Sequence, residues 1–175
     1  MKTKIQNPTL TLMCGLARCG KSTWIKKNKK DAIVVSPDKV RSDIFGHQFH
    51  ANAEDFVWAC SKAFVRLLLD QGKSVIIDAT NLNFKQREPW IRMAQEFDIK
   101  LRIVWIKTSL KICKIRNDKS EVNRKVPVEV LDRMALSFEN PDYMDCNCIE
   151  GKGKNKFYVE LIEVPYKKKR CNYLN

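Results

Sequence analysis

The segment Thr9-Leu-Thr-Leu-Met-Cys14-Gly15-Leu-Ala-Arg-Cys-Gly20-Lys21-Ser22 carries the most informative pattern in this sequence. Residues 9–14 are an apolar run without helical spacing, which is typical of a buried strand. The residues from Gly15 match G-x-x-x-x-G-K-[ST] in full, and a helix is predicted to begin at Thr23. A strand, a glycine-rich loop and a helix in this order turn successive backbone N–H groups toward one point, where they can bind the phosphates of a nucleotide.

The residue types in this loop fit that task. Glycine at positions 15 and 20 lets the backbone turn and approach the phosphates closely. Lys21 is predicted to reach the β- and γ-phosphates, and the Ser22 hydroxyl to ligate Mg²⁺. The predicted nucleotide-binding residues are Gly15, Arg18, Cys19, Gly20, Lys21, Ser22 and Thr23.

Helicases, GTPases and small kinases all use such a loop, so the loop alone does not define the reaction. The chain is short for a motor core, and it has no Asn-Lys-x-Asp guanine signature. These observations favour a small kinase that uses ATP and Mg²⁺.

Strands and helices alternate along the rest of the chain. Strands are predicted at residues 9–14, 31–36, 73–78, 100–107 and 157–164. Helices are predicted from Thr23, at 39–45, from Asn52 to Gly72, after Asn83 as N-cap, at 108–118 and from Pro127 to Asn140. This alternation predicts an α/β fold of three layers, with a mostly parallel sheet flanked by helices. We expect a single domain over 1–175, with a core at 9–140, a lid at about 116–127, and a C-terminal strand and basic tail at 146–175.

The second predicted strand leads into Ser36-Pro-Asp38-Lys-Val-Arg41, at the sheet edge where ligands of parallel α/β proteins bind. The carboxylate of Asp38 can accept a proton from an attacking hydroxyl group. Arg41 can share a helical face with Asp38 and hold an anionic substrate. The alternative is that Asp38 only caps the helix at 39–45, and the two roles do not exclude one another.

The third predicted strand ends in Asp78-Ala-Thr80-Asn81. An acid at a strand end beside a phosphate loop commonly holds the metal ion or its water, so Asp78 joins Ser22 as a predicted Mg²⁺ ligand. Thr80 and Asn81 are predicted to line the acceptor site. The alternative is a strand-to-helix turn that Asx hydrogen bonds hold in place.

Basic residues concentrate between the last two predicted helices, where Arg116, Lys119 and Arg124 precede Pro127. A lid that closes over ATP would bring an arginine to the γ-phosphate and would exclude water. Arg116 and Arg124 are therefore candidate catalytic residues. A solvated run of charges is the alternative.

Composition limits the possible classes of protein. The chain has 175 residues, of which 44% are hydrophobic and 30% charged, and this excludes a wholly disordered chain or a collagen-like fibre. No apolar run is long enough for a bilayer span and no secretory signal is found, so we expect a cytoplasmic protein that does not bind a membrane. The sequence indicates no stable protein partner. The net charge of +13 favours a polyanionic partner, or else serves only for solubility.

Seven cysteines are scattered along the chain without a CxxC pair, and the two histidines do not complete a zinc ligand set. Reduced thiols in a reducing compartment are therefore expected. Cys19 lies near a predicted helix N-terminus. There it is either a thiol with a lowered pKa that is sensitive to oxidation, or an inert packed thiol.

The chain resembles the polynucleotide 5′-hydroxyl kinases, a group of small P-loop kinases, over residues 9 to about 140. It has their motifs in the same order: Gly15–Ser22, Asp38-x-x-Arg41, Asp78-Ala-Thr80-Asn81 and a basic lid ahead of Val126-Pro127. The resemblance implies an adenylate-kinase-like P-loop core with a helical lid. It also implies transfer of the γ-phosphate of ATP to a nucleic acid partner, at the 5′-OH end of RNA or DNA.

The resemblance further implies roles for single residues. Lys21 and Ser22 match the lysine and serine of the loop, Asp38 matches the general base, and Arg41 matches the arginine that binds the phosphate of the acceptor. One basic residue of the lid should match the arginine at the γ-phosphate. The third-strand motif is matched by Asp78, Thr80 and Asn81.

The chain departs from the family in the loop, because Arg18 and Cys19 stand where Gly and Ser are usual. No DxDxT phosphatase motif is present, so a bifunctional end-healing enzyme is not expected within this chain. The same residues would also serve a kinase of a small hydroxyl compound, such as a nucleoside or a sugar acid. A third interpretation is a nucleotide-dependent binding or regulatory module without transfer activity.

Overall fold

Five strands form one parallel sheet in the computed structural model, which describes residues 8–46, 51–122, 125–141 and 159–166. The strands are β1 (Thr9–Cys14), β2 (Ile33–Val35), β3 (Val75–Ile77), β4 (Lys100–Lys107) and β5 (Val159–Pro165). Their order across the sheet is β2-β3-β1-β4-β5, and every neighbouring pair is parallel. The predicted parallel sheet is therefore confirmed.

Helices connect these strands. They are α1 (Lys21–Asn28), α2 (Pro37–Phe45), α3 (Glu54–Asp70), α4 (Phe84–Glu96), α5 (Leu110–Asp118) and α6 (Val128–Leu136), with a 3₁₀ turn at Ala51–Ala53 before α3. Asn83 caps α4 as predicted, because its side chain accepts a hydrogen bond from the Gln86 amide. Within the part of the chain that the structure describes, no helix is both long and apolar enough to cross a bilayer.

Apolar clusters lie on both faces of the sheet, as expected for parallel strands that are buried on both sides. On one face, Leu12 of β1 shares a cluster with Val65 of α3 and Trp90 of α4. On the other face, Met13 of β1 shares a cluster with Ile25 of α1, and apolar residues of α5 and α6 pack against it. The sheet is therefore the middle of three layers, which confirms the predicted fold class.

Two helices begin earlier than predicted. α1 begins at Lys21 rather than Thr23, because Gly20 takes the N-cap position with a φ of 118°. α2 begins at Pro37, because Ser36 takes the N-cap position and the fixed φ of proline suits the first turn of a helix. The interpretation of Asp38 as an N-cap is therefore wrong, since Asp38 lies inside the first turn of α2.

The predicted C-terminal strand is present as β5, which extends the sheet beside β4. Most of the predicted tail, including Cys146, Cys148 and Cys171, lies outside the described residues, and the division of the chain into core, lid and tail stays a prediction. The described cysteines are free thiols, as expected: Cys14, Cys19, Cys60 and Cys113.

Candidate active site

The loop between β1 and α1 has a backbone that only glycine fits at its first position. Gly15 has a φ of 140°, and its amide donates a 2.9 Å hydrogen bond to the Thr80 carbonyl beyond β3. A Cβ atom at Gly15 would lie 2.9 Å from Cys19 Sγ and 3.0 Å from the Ile106 carbonyl oxygen in β4. The loop therefore curls tightly over the carboxyl ends of the central strands, at what we call the carboxyl edge of the sheet.

Helix α1 starts directly after this loop and points its N-terminus at it. Gly20, the N-cap residue, is in the left-handed region, and its carbonyl accepts a 3.1 Å hydrogen bond from the Trp24 amide. The first turn of α1 contains no acidic residue, and Ser22 and Thr23 are exposed there. The free N–H groups and the positive end of the helix dipole thus suit an anion.

Lys21 supplies a buried cation inside the loop. Its side chain crosses the loop and is only 9% exposed. Its Nζ donates hydrogen bonds of 3.0 Å to the Gly15 carbonyl and 2.8 Å to the Leu16 carbonyl. The ammonium group therefore lies inside the loop, and its contact with the β- and γ-phosphates stays a prediction.

Arg18 shows that the loop accepts a residue where glycine is usual. It has a φ of 63°, a left-handed conformation that costs a non-glycine residue about 1–2 kcal/mol. Its Nε is buried and has no hydrogen-bond partner among the described residues. Buried donors in proteins normally have a partner, so an unpaired guanidinium donor beside a helix N-terminus fits a phosphate site.

Arg116 supports the same loop from α5. Its Nη1 donates hydrogen bonds of 3.0 Å to the Arg18 carbonyl and 2.7 Å to the Cys19 carbonyl. The guanidinium also lies 5.3 Å from the centroid of the Tyr166 ring, beyond the end of β5. Arg116 is therefore brought to the site, but from the last turn of a helix rather than from a lid loop. Arg124, the other candidate lid arginine, lies outside the described residues.

Cys19 is a packed thiol. Its side chain is 2% exposed, and burial raises the pKa of the thiol, although the positive charge of Lys21 acts in the opposite direction. The thiol therefore stays protonated at neutral pH. The oxidation-sensitive alternative for Cys19 is wrong, and the inert packed thiol is confirmed.

Ser22 and Asp78 meet at the ends of neighbouring elements. Ser22 Oγ donates a 3.4 Å hydrogen bond to Asp78 Oδ2, and the loop at Asp78 directly follows β3, the neighbour of β1. Burial raises the pKa of the Asp78 carboxyl, while the charge of Lys21 and the hydrogen bond from Ser22 lower it. A hydroxyl and a carboxylate are hard oxygen ligands, so this pair fits Mg²⁺.

Asp38, Arg41 and Glu54 form a chain of ion pairs beyond β2. Arg41 Nη1 lies 2.7 Å from Asp38 Oδ1, and its Nε and Nη2 lie 2.6 and 2.9 Å from the two carboxylate oxygens of Glu54. The Asp38 side chain is 88% exposed, whereas that of Arg41 is 17% exposed. Asp38 and Asp78 follow the neighbouring parallel strands β2 and β3, so both residues lie at the carboxyl edge.

Thr80 and Asn81 hold the backbone of the site in place, Thr80 through its carbonyl group and Asn81 through both its side chain and its carbonyl group. The Thr80 carbonyl accepts the hydrogen bond from the Gly15 amide. Asn81 is 1% exposed in a left-handed conformation, and its Nδ2 donates a 2.8 Å hydrogen bond to the Met13 carbonyl. The fully buried Arg87 of α4 donates a 3.1 Å hydrogen bond to the Asn81 carbonyl. The structure thus places the Asn81 side chain beneath the site, whereas the sequence suggested that it lines the acceptor site.

An apolar cavity adjoins the start of the loop. It has a volume of about 330 Å³ and is lined by Gly15 and Leu16 of the loop together with Trp105, Leu110 and Phe138. The rings of Trp105 and Phe138 are 5.8 Å apart and tilted by 32°. A cavity of this size with aromatic walls can accommodate a planar group next to the phosphate site.

A parallel sheet of order β2-β3-β1-β4-β5 with a phosphate-binding loop after its central strand defines the fold of P-loop kinases. This class of protein uses ATP, usually together with Mg²⁺. The chain belongs to the AAA domain family (AAA_33), whose model matches residues 10–141.

Relatives of the chain include two curated proteins. L-seryl-tRNA(Sec) kinase of Methanococcus maripaludis is 27% identical over 139 residues, which cover 75% of this chain and 53% of that protein. The bifunctional polynucleotide phosphatase/kinase of Schizosaccharomyces pombe is 27% identical over 114 residues, which cover 65% of this chain and 25% of that protein. The chain therefore spans about half of the first relative and a quarter of the second.

Among solved structures, the Pnkp1/Rnl/Hen1 RNA repair complex contains a chain with the same fold. The two chains superpose with a TM-score of 0.68 at 19% sequence identity, over 86% of this chain and 49% of that chain.

Proposed function

We propose that this protein transfers the γ-phosphate of ATP to the 5′-hydroxyl end of RNA or DNA. The observation that carries the proposal is the arrangement at the carboxyl edge of the sheet. The phosphate loop with Lys21 and the Ser22–Asp78 pair lie beyond β1 and β3, and the Asp38–Arg41 pair lies beyond the next strand, β2. A donor and an acceptor bound to these two groups would meet at one edge.

Asp38 is the proposed general base. The attacking 5′-oxygen forms a bond to the γ-phosphorus while the bond from that phosphorus to the bridging oxygen of ADP breaks, and the hydroxyl proton passes to the Asp38 carboxylate. The side chain suits this role because it is 88% exposed and its carboxylate is oriented by Arg41 Nη1 at 2.7 Å.

Arg41 is the proposed contact for the acceptor phosphate. Its two hydrogen bonds to Glu54 fix the plane of the guanidinium, so that the Nη1 edge is presented next to Asp38. A phosphate group of the acceptor strand at that edge would place the terminal hydroxyl beside the Asp38 carboxylate. Glu54 is therefore a positioning residue in this proposal.

The loop residues are proposed to bind the donor. Lys21, the α1 N-terminus and the Arg18 Nε would contact its phosphates, and Arg116 would hold the loop in shape through its two carbonyl contacts. Ser22 and Asp78 would hold Mg²⁺, which supplies charge neutralisation for the phosphate oxygens when it is bound.

Two observations favour a nucleic acid acceptor. The chain carries 33 lysines and arginines against 20 acidic residues, which attracts a polyanion. The names of the relatives mention a tRNA, a polynucleotide and RNA repair. A kinase of a small hydroxyl compound would use the same residues. The two activities differ in how strongly the KM for the acceptor depends on salt concentration.

Transfer from labelled ATP with Mg²⁺ to 5′-OH oligonucleotides of RNA and DNA tests the proposal. We expect labelled 5′ ends, and a KM for the oligonucleotide that rises steeply with salt. Transfer to a nucleoside or sugar acid but to no oligonucleotide would contradict the proposal in favour of a small-molecule kinase. ATP binding without transfer to any acceptor would contradict both.

The variant pair Asp38→Asn and Asp43→Asn isolates the proposed base. Both aspartates lie on α2, but Asp43 pairs with Lys39 at 2.9 Å on an exposed surface. We expect Asp38→Asn to bind ATP normally and to lower kcat by about 10²–10⁴-fold, and Asp43→Asn to leave kcat unchanged. An Asp38→Asn variant with full activity would contradict the assignment of the base.

A further inference from the structure

A second cavity lies at the opposite end of the sheet from the phosphate loop. It has a volume of about 350 Å³ and is bounded by the starts of β1, β3 and β4, the last turn of α1, and the loops that precede β2 and β3. We call it the amino-edge cavity. Its size falls in the range of small-molecule sites, roughly 300–1,000 Å³.

The amino-edge cavity exists because α1 is too short to cover the strand that precedes it. α1 has 8 residues and is about 12 Å long, since each residue adds roughly 1.5 Å. β1 has 6 residues, which extend to about 20 Å at roughly 3.3 Å per residue. α1 runs back from the carboxyl edge and ends at Asn28, so no described helix covers the amino half of this sheet face.

The uncovered face is polar where a parallel sheet is normally apolar. Thr11 of β1 pairs in register with Ile76 of β3 on one side and Arg102 of β4 on the other, and all three line the cavity. Thr11 is 4% exposed, and its hydroxyl forms no hydrogen bond with any described residue. Arg102 pairs with Glu160 at 2.8 Å. The floor of the cavity therefore offers a nearly buried hydroxyl without a protein partner.

Cations form the rim of the amino-edge cavity. Lys29, Lys30 and Lys73 line it, and none of them forms an ion pair or hydrogen bond through its side chain with another described residue. Lys30 lies in a left-handed conformation with a φ of 44°. Asp31 is the acidic residue among the lining residues, so the positive charges outnumber the negative ones. Trp24 of α1 supplies an aromatic wall.

We propose that the amino-edge cavity is a nucleotide-binding site separate from the phosphate loop. The phosphate of one nucleotide unit lies among Lys29, Lys30 and Lys73, its base lies against Trp24, and the Thr11 hydroxyl donates to it at the floor. Lysines bind phosphate as point charges, and a base stacks on an aromatic side chain whatever its identity. The unit is either a free nucleotide or one nucleotide of a bound nucleic acid strand.

The test follows the backbone amides of Gly72 and Ser74 by NMR, because both residues line the amino-edge cavity and lie at the far end of the sheet from the phosphate loop. The full chain is titrated with AMP, with inorganic phosphate, and with a single-stranded RNA octanucleotide that already carries a 5′-phosphate. We expect saturable shifts with AMP or with the octanucleotide. Saturation with AMP identifies a free nucleotide as the source, and saturation with the octanucleotide alone identifies a strand.

Lys73→Gln and Lys62→Gln form the matched pair of variants. Each removes one lysine charge, but Lys62 lies on α3, which packs on the other face of the sheet. We expect Lys73→Gln to weaken binding at least fivefold and Lys62→Gln to leave it unchanged. Thr11→Val, which keeps the shape of the side chain, should also weaken it severalfold.

Three results would overturn the proposal. They are the absence of a saturable shift with both AMP and the octanucleotide, an equal loss of binding in Lys62→Gln and Lys73→Gln, and inorganic phosphate binding as tightly as AMP. No probe in this titration accepts a phosphate at a 5′-hydroxyl, and the readout involves no transfer. A failure here is therefore distinguishable from a failure of the proposed kinase activity.

Discussion

The carboxyl edge of the sheet and the amino-edge cavity both present cations, but they hold them differently. At the carboxyl edge, the charged groups are joined to partners: Lys21 to two loop carbonyls, Arg116 to two more, and Arg41 to Asp38 and Glu54. At the amino-edge cavity, the three rim lysines have no side-chain partner among the described residues.

This difference fits the two proposed roles, which are catalysis at the carboxyl edge and nucleotide binding at the amino-edge cavity. Groups that are fixed before the substrate arrives stabilise developing charge without reorganising, and this favours catalysis. Exposed lysines without such partners raise the local concentration of anions and tolerate varied ligands. We therefore expect substitutions at the carboxyl edge to affect turnover and folding strongly, and those at the amino-edge cavity to have small and separable effects.

The largest difference between the two regions should come from Lys21→Met and Lys73→Gln. Loss of Lys21 removes the buried cation of the phosphate loop, so we expect transfer from ATP to fall by about 10³-fold, as for other preorganised charge-stabilising groups. Lys73→Gln should change kcat less than twofold. Steady-state kinetics with labelled ATP measure both, and equal losses in the two variants would mean that the two regions are not separate.

Glycine-to-alanine substitutions compare the backbones of the two regions. Gly15→Ala places a Cβ 2.9 Å from Cys19 Sγ in a residue with a φ of 140°, so we expect the free energy of unfolding to fall by about 2–3 kcal/mol. In Gly72→Ala, at the amino-edge cavity, the added Cβ has no neighbouring atom within 4 Å. The only expected cost is the backbone strain of an alanine with a φ of 69°. The expected loss is about 1 kcal/mol. Denaturant unfolding measures both, and a larger loss for Gly72→Ala would contradict the tight loop.

The pH dependence of Mg²⁺ use tests the electrostatics of the carboxyl edge. Because burial raises the pKa of Asp78 above 3.8, its carboxylate becomes protonated at a higher pH than an ordinary aspartate. The Mg²⁺ concentration for half-maximal transfer should therefore increase as the pH falls through that raised pKa, approaching about tenfold per pH unit below it. A requirement in the parent protein that does not increase as the pH falls, down to the lowest pH at which the protein stays folded, would contradict this.

The raised pKa of Asp78 also makes the free energy of unfolding depend on pH. The folded state binds the Asp78 proton more tightly than the unfolded state does, so this group lowers the free energy of unfolding as the pH rises from the ordinary pKa through the raised one. Asp78→Asn removes the titrating group, and the difference in unfolding free energy between the variant and the parent should grow with pH across that window.

The smallest expected effect is a gain in stability at the amino-edge cavity. Thr11→Val removes a hydroxyl that has no partner among the described residues and that faces the cavity, so we expect the free energy of unfolding to rise by at most about 1 kcal/mol. For a protein of this size, a gain of about 1 kcal/mol corresponds to a Tm increase of about 2–4 °C. Calorimetry measures it, and a lower Tm would show that the hydroxyl contributes to folding.

The arrangement at the carboxyl edge can be predicted from the sequence because the motifs that form it are short and continuous. The strand, loop and helix around Gly15 occupy consecutive residues, and parallel strands bring Ser22 and Asp78 to the same edge once β1 and β3 are neighbours. The helix starts are displaced by two residues because N-cap geometry at Gly20 and Ser36 decides them, rather than the apolar pattern.

Features that depend on distant parts of the chain are not predicted. Glu54 binds Arg41 from the start of another helix, and its only signal in the sequence is an acid in the first turn of α3. From the sequence, Arg87 would be expected on the exposed face of α4. In the structure it is fully buried and donates a hydrogen bond to the Asn81 carbonyl. The amino-edge cavity depends on the length of α1 relative to β1, which no local motif encodes.

The structure of the protein with a non-hydrolysable ATP analogue, Mg²⁺ and a 5′-OH dinucleotide would decide whether the carboxyl edge performs the proposed transfer. We predict the 5′-oxygen within about 2.6–3.2 Å of an Asp38 carboxylate oxygen, with the phosphate of the dinucleotide on Arg41. An Asp38 side chain turned away from the γ-phosphate, with protein atoms filling the space between them, would contradict the proposed transfer.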